Sequence, residues 1–161
     1  MRHRVLVPYV LAVSLGLTAA ATAQTNPRGE AKVTLAGKPI VVTYGRPSLK
    51  GRDMLGRAEV GSEWRMGADI PTTLNTPVGL SFGATRVPPG EYILRAKKVS
   101  DKDWTLKLEG DGKVAAEVPL QGRPLDKSVE MFTIGLTEEQ GQGVFRMSWG
   151  NLELATRFTA K

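Results

Sequence analysis

Apolar and polar residues alternate one for one along most of this chain, and that period limits its fold more than any other feature. Side chains of an extended strand point to opposite faces in turn, so a strand with one buried face shows a repeat of two. Tyr92, Leu94 and Ala96 alternate with Ile93, Arg95 and Lys97, and Trp104, Leu106 and Leu108 with Thr105, Lys107 and Glu109. Ile40, Val42 and Tyr44 form another set, as do Val114, Ala116, Val118 and Leu120, and Phe132, Ile134 and Leu136. Phe145, Met147 and Trp149 continue the pattern, then Leu152, Leu154 and Phe158, with shorter candidates at 31–35 and 78–82. Between the runs lie turn formers. Asp111-Gly112 is a hairpin signal, because both residues tolerate the positive φ of a tight hairpin turn. Ala36-Gly37, Pro88-Pro89-Gly90, Ser100-Asp101-Lys102-Asp103 and Gly150-Asn151 read as further reversals. Helical patterning is brief: 53–60 has room for about two turns and 126–130 for about one. The pattern predicts an all-β chain, an antiparallel β-sandwich of jelly-roll type with about 8–10 short strands in one domain over 31–161.

The first residues follow a different rule. Met1-Arg2-His3-Arg4 is a basic start, an apolar stretch runs from Val5 to Leu17, and Ala21-Thr22-Ala23 has the A-x-A form of a signal peptidase site. Residues 1–23 are therefore read as a signal peptide cleaved after Ala23, and the destination as periplasmic or secreted. An uncleaved anchor is the alternative, but the apolar stretch falls short of the roughly 20 residues a membrane span needs. No later stretch is apolar enough to span a bilayer. Residues 24–30 (QTNPRGE) read as a flexible lead-in.

Cleavage changes what chemistry is available. The chain has no Cys, and its single His is His3. The mature protein then has neither, which excludes disulfides, thiolate metal sites, Ser-His-Asp catalysis and histidine acid–base work. Of 22 basic residues, Arg2 and Arg4 leave with the leader; the remaining 20 face 16 acidic residues, a net charge of +4. That modest charge, with export, argues against a nucleic-acid partner.

One segment breaks the alternation. Residues 45–73 (GRPSLKGRDMLGRAEVGSEWRMGADIPTT) are rich in Gly and Arg, and long ordered loops in compact domains are often functional. Arg46, Lys50, Arg52, Arg57 and Arg65 stand here against Asp53, Glu59, Glu63 and Asp69. Guanidinium forks suit carboxylates and phosphates, whereas the plainer reading has them tying the loop to nearby carboxylates and carbonyls. Tyr44-Gly45-Arg46-Pro47-Ser48-Leu49-Lys50-Gly51-Arg52, Trp64-Arg65-Met66-Gly67-Ala68-Asp69 and Thr72-Thr73 resemble the signature of the domain of unknown function 2911 family. Val87-Pro88-Pro89-Gly90-Glu91-Tyr92, Asp103-Trp104 and Ser148-Trp149-Gly150 fit it too, so the resemblance covers residues 31–158. It implies an exported bacterial protein in which the two loop motifs form one feature; it implies no activity. Asp69-Ile70-Pro71 departs from the Asn-Glu-Ala expected of many members, so no single role carries over to position 69.

The resulting site expectation is a shallow pocket walled by Tyr44 and Trp64. Arg46, Ser48, Lys50, Arg52, Arg65, Asp69, Thr72 and Thr73 line it, for an anionic or polyhydroxylated small molecule, a glycan or an envelope protein. No catalytic residue, metal or cofactor is assigned. Ser48 and Lys50 lack the spacing of a helical Ser-x-x-Lys pair, and Pro47 places them in a loop. The carboxylates Glu59, Glu63, Asp69 and Glu91 single out no glycosidase pair. Asp101, Asp103 and Asp111 suit hairpin turns and lack an EF-hand pattern. Trp104 and Trp149 are in phase with core residues; only Trp64 lies off a clear strand. The leading function is an exported non-enzymatic binding module of the cell envelope. The alternatives are a hydrolase-like enzyme using carboxylate and Arg or Lys groups of the same loop, and an interaction protein whose loop only closes one end of the sandwich.

Overall fold

The computed structural model describes residues 26–161. They form ten strands and no helix: β1 (Arg28–Leu35), β2 (Lys38–Gly45), β3 (Glu63–Trp64), β4 (Thr73–Thr76), β5 (Leu80–Phe82), β6 (Thr85–Val87), β7 (Gly90–Lys98), β8 (Trp104–Gly110), β9 (Lys113–Glu139) and β10 (Gln142–Ala160). No helix long and apolar enough to cross a membrane occurs among these residues. The leader read at 1–23 lies outside the described residues. β1 begins at Arg28, within the stretch read as a lead-in.

All pairings are antiparallel, in the order β1-β2-β4-β7-β8-β9-β10-β5-β6, with β3 against β7. The predicted alternation is the burial pattern: β8 buries Trp104, Leu106 and Leu108, and β2 buries Ile40, Val42 and Tyr44. Each such side chain contributes about 1.5–3 kcal/mol on leaving water, and the alternation fixes register, because a slip of one residue would expose the whole row.

β9 takes part in two regions of the sheet. Its first part, 113–120, pairs with β8, and 121–139 pairs with β10. Two layers result. Leu74, Leu94 and Leu106 of the first meet Leu80, Phe82, Phe145 and Phe158 of the second around a small apolar gap. The Tyr44 hydroxyl spans the layers, donating 3.1 Å to the Ile134 carbonyl.

The runs predicted at 114–120 and 132–136 belong to one continuous strand, as do those at 145–149 and 152–158. Gly150-Asn151, read as a reversal, is instead a bend inside β10. The register explains it: Gly150 faces Val129 while Leu152 faces Pro124, so residues 125–128 of β9 stand opposite Asn151 alone. The extra residues lengthen β9 on the outside of the bend, and Gly150, with φ of 66°, supplies the left-handed backbone on the inside. The single helical turn read at 126–130 therefore lies in strand. At 53–60 the chain makes turns rather than helix.

Candidate functional site

Residues 45–73 are ordered through contacts with both layers. Immediately after β2, the chain runs beside β9: Phe132 N–H donates 2.9 Å to the Pro47 carbonyl and Leu49 N–H 3.0 Å to the Glu130 carbonyl, bridging Ser48 to Met131. It reverses at Lys50-Gly51, both at positive φ (49° and 75°), a tight turn closed by Arg52 N–H on the Leu49 carbonyl at 3.0 Å. Leu49, Leu55 and Met66 enter the core. β3 returns the chain to β7 through the pairs Glu63 with Lys97 and Trp64 with Ala96. Lys98, itself buried, caps this part of the loop by donating 2.9 Å to the Ala58 carbonyl.

Several candidate residues hold this path. Arg46 donates to the Phe132 carbonyl at 3.3 Å and the Thr133 hydroxyl at 3.2 Å, both on β9. Ser48 donates to the Glu130 carboxylate, which also accepts Lys50 N–H at 3.0 Å. The Ser48 hydrogen bond and then the Lys50 amide hold the Glu130 carboxyl below the ordinary carboxylate value. Thr72 is fully buried and donates to the Met66 carbonyl, and Thr73 shares a 3.0 Å hydrogen bond with Thr43. Asp69, at φ 68°, accepts the Asn26 N–H at 2.8 Å.

Phe132 occupies the space between the two expected pocket walls. Its ring meets Tyr44 edge-on at 5.6 Å and Trp64 at 4.8 Å, while Trp64 stacks on Trp149 at 5.3 Å and 19°. Tyr44 and Trp64 thus belong to one aromatic cluster, joined through the Phe132 ring. Trp149 donates 3.2 Å to the Glu130 carbonyl, so Trp64 and the 46–50 segment converge on the same anchor. Lys50, Arg52 and Arg65 are exposed there, and none forms a salt bridge among the described residues. Arg52 directs one donor to the Leu49 carbonyl at 3.0 Å. No three acidic side chains converge to hold a metal ion among the described residues.

A concavity among the described residues lies elsewhere. The bend in the β9–β10 hairpin turns its two arms toward each other over a cleft of about 760 Å³ that no residue of 45–73 lines. Arg146 of one arm donates 2.6 Å to Glu139 and lies 3.8 Å from Glu153 of the other. Arg157 closes on Glu139 at 2.9 Å and Arg123 on Glu153 at 2.8 Å. The Arg146 hydrogen bond keeps the Glu139 carboxyl below its ordinary range, with Arg157 adding to the effect. This cluster escapes the sequence because the residues lie far apart in the chain and each reads as an ordinary solvent-facing strand position; only the bend unites them.

No curated protein and no solved structure matches the chain. A family model does: the one described as Protein of unknown function (DUF2911) matches residues 26–158, and the chain belongs to that family.

Proposed function

We propose that this protein is an exported, non-enzymatic binding module of the cell envelope that meets an anionic glycan, small molecule or protein partner on the 45–73 face. The observation that carries this reading is a division of labour within the loop. Arg46, Ser48, Asp69, Thr72 and Thr73 spend their polar atoms on the scaffold, whereas Lys50, Arg52 and Arg65 leave that scaffold exposed and without ion pairs among the described residues. Cations fixed on an ordered loop lose less freedom on binding than cations on a mobile one. Export rests on the leader-like sequence of residues 1–23.

Hydrolysis has less support. A general acid needs a carboxyl whose pKa is raised toward neutrality. Glu130 beside the loop is shifted the other way, and Glu63 is paired with Lys107 at 2.6 Å. The test is thermal melting of the protein across a panel of anionic polysaccharides and acidic peptides. At least one is expected to raise the melting temperature in a salt-sensitive manner. No shift across the panel would remove the binding reading.

A further inference from the structure

Large apolar side chains left in water are gathered at one end of the sheet. Among the described residues they are Met54, Val60, Ile70, Ile93, Val99 and Val114. Ile93 and Val114 lie on the outer sheet face, each opposite Glu109. The other four belong to two connections: Met54, Val60 and Ile70 to the one between β2 and β4, and Val99 to the one between β7 and β8. β2 pairs antiparallel with β4, β4 with β7 and β7 with β8, so both connections emerge at the same end. They also touch. Gly61 N–H donates 2.7 Å to the Lys98 carbonyl and Lys98 N–H 3.0 Å to the Ser62 carbonyl, which sets Val60 beside Val99.

These side chains are not loop residues that the core has no room for. The same loop buries Leu49, Leu55 and Met66 and leaves Val60 and Ile70 each 56% exposed, with Met54 at 37% and Val99 at 48%. Grouped exposed apolar side chains mark a surface that meets a partner. Cations are interleaved with them: Lys50 and Arg52 precede Met54, and Arg57 and Arg65 flank Val60. All four cations are exposed, and none forms a salt bridge among the described residues. Three of the loop's four acids are held by the protein itself. Asp53 accepts Gly56 N–H at 2.9 Å, Glu63 pairs with Lys107 at 2.6 Å, and Asp69 accepts Asn26 N–H at 2.8 Å. A soluble polyanion would engage the cations and leave the apolar side chains in water. An anionic bilayer takes both, because its phosphates lie directly above an apolar layer.

We propose that this end of the protein docks on an anionic lipid bilayer. Met54, Val60, Ile70 and Val99 enter the headgroup layer, and Lys50, Arg52, Arg57 and Arg65 meet lipid phosphates. The inference rests on 45–73 being the binding face and gives that face a lipid surface as its anionic partner.

The test is co-sedimentation with lipid vesicles. It uses the form that starts at Gln24, which lacks the apolar leader and keeps all ten strands. The vesicles are phosphatidylcholine alone or an equal mixture of phosphatidylcholine and phosphatidylglycerol, and heparin binding is measured in parallel. The mixed vesicles are expected to bind about tenfold or more tightly than phosphatidylcholine alone. The Val60→Ser/Ile70→Ser variant, altered only at exposed positions, is expected to lose about tenfold in vesicle affinity. Its heparin binding and melting temperature are expected to match wild type. A wild type that binds heparin but not the mixed vesicles would overturn the bilayer partner and leave the 45–73 face standing, whereas binding to neither would overturn both. Equal binding to phosphatidylcholine alone would overturn the role of lipid charge, and equal vesicle binding by the variant would overturn entry of the apolar side chains.

Discussion

Glu130 is one residue on which the candidate loop depends directly. Its carboxylate accepts from Ser48 and from the Lys50 amide, and its carbonyl accepts from Leu49 N–H and the Trp149 indole. Because the folded-state pKa lies below the ordinary 4.5, the ionised carboxylate stabilises the fold above pH 4.5, and that contribution is lost as pH falls through the lower folded value. Urea unfolding should therefore find Glu130→Gln less stable than wild type at pH 7, with the gap narrowing below about pH 4. Gly45 is constrained differently. A Cβ there would strike the Ala68 backbone, so Gly45→Ala should cost about 1–3 kcal/mol in the same measurement. Neither role can be read from composition. RPSLKGR shows that position 48 carries a hydroxyl, but its partner stands 82 residues away.

At the scale of elements, the strands were legible and so were the reversals at 36–37, 88–90, 100–103 and 111–112, whereas the one read at Gly150-Asn151 was not a reversal. The alternation at 92–96, 104–108 and 145–149 marks buried rows because one face of each strand meets the core. Gly150-Asn151 has the composition of a turn. Yet pairing with β9 resumes at Leu152, and the backbone bends where a chain reversal was expected. Local sequence carries the tolerance for positive φ; the distant partner decides whether a turn or a bulge uses it. Gly150→Ala should cost about 1–2 kcal/mol from the left-handed backbone alone, since the nearest side chain, Leu49, stands at an ordinary 3.8 Å. The loop joins the core through aromatic packing. Trp64→Ala, which removes the contacts with Phe132 and Trp149, should cost about 2–4 kcal/mol and speed amide exchange at Gly61 and Lys98, whose N–H groups bond between the loop and β7. The motif spacing pointed to Tyr44 and Trp64 as neighbours, which they are at one remove. That Phe132 fills the gap depends on β9 passing beneath both, a tertiary fact outside the motif.

For the whole molecule, the sheet folded on itself leaves two surfaces of opposite design. In the hairpin cleft, arginines and glutamates alternate and largely neutralise one another. On the 45–73 face, Lys50, Arg52 and Arg65 stand on a platform tied to β9 and β7, with no carboxylate paired to them among the described residues. The net positive charge of the chain favours the approach of an anionic partner, and on the proposed reading these exposed cations are where it would dock. Their exposure means they can be removed without disturbing the core. The most direct measurement is a titration with heparin, a generic polyanion, of wild type and the Lys50→Ala/Arg52→Ala/Arg65→Ala variant, with melting temperatures recorded alongside. Wild type should bind in a salt-dependent manner, and the triple variant should bind about tenfold or more weakly while melting within about 2 °C of wild type. A wild type that does not bind, or a triple variant that binds as tightly, would contradict the assignment of this face as the binding surface.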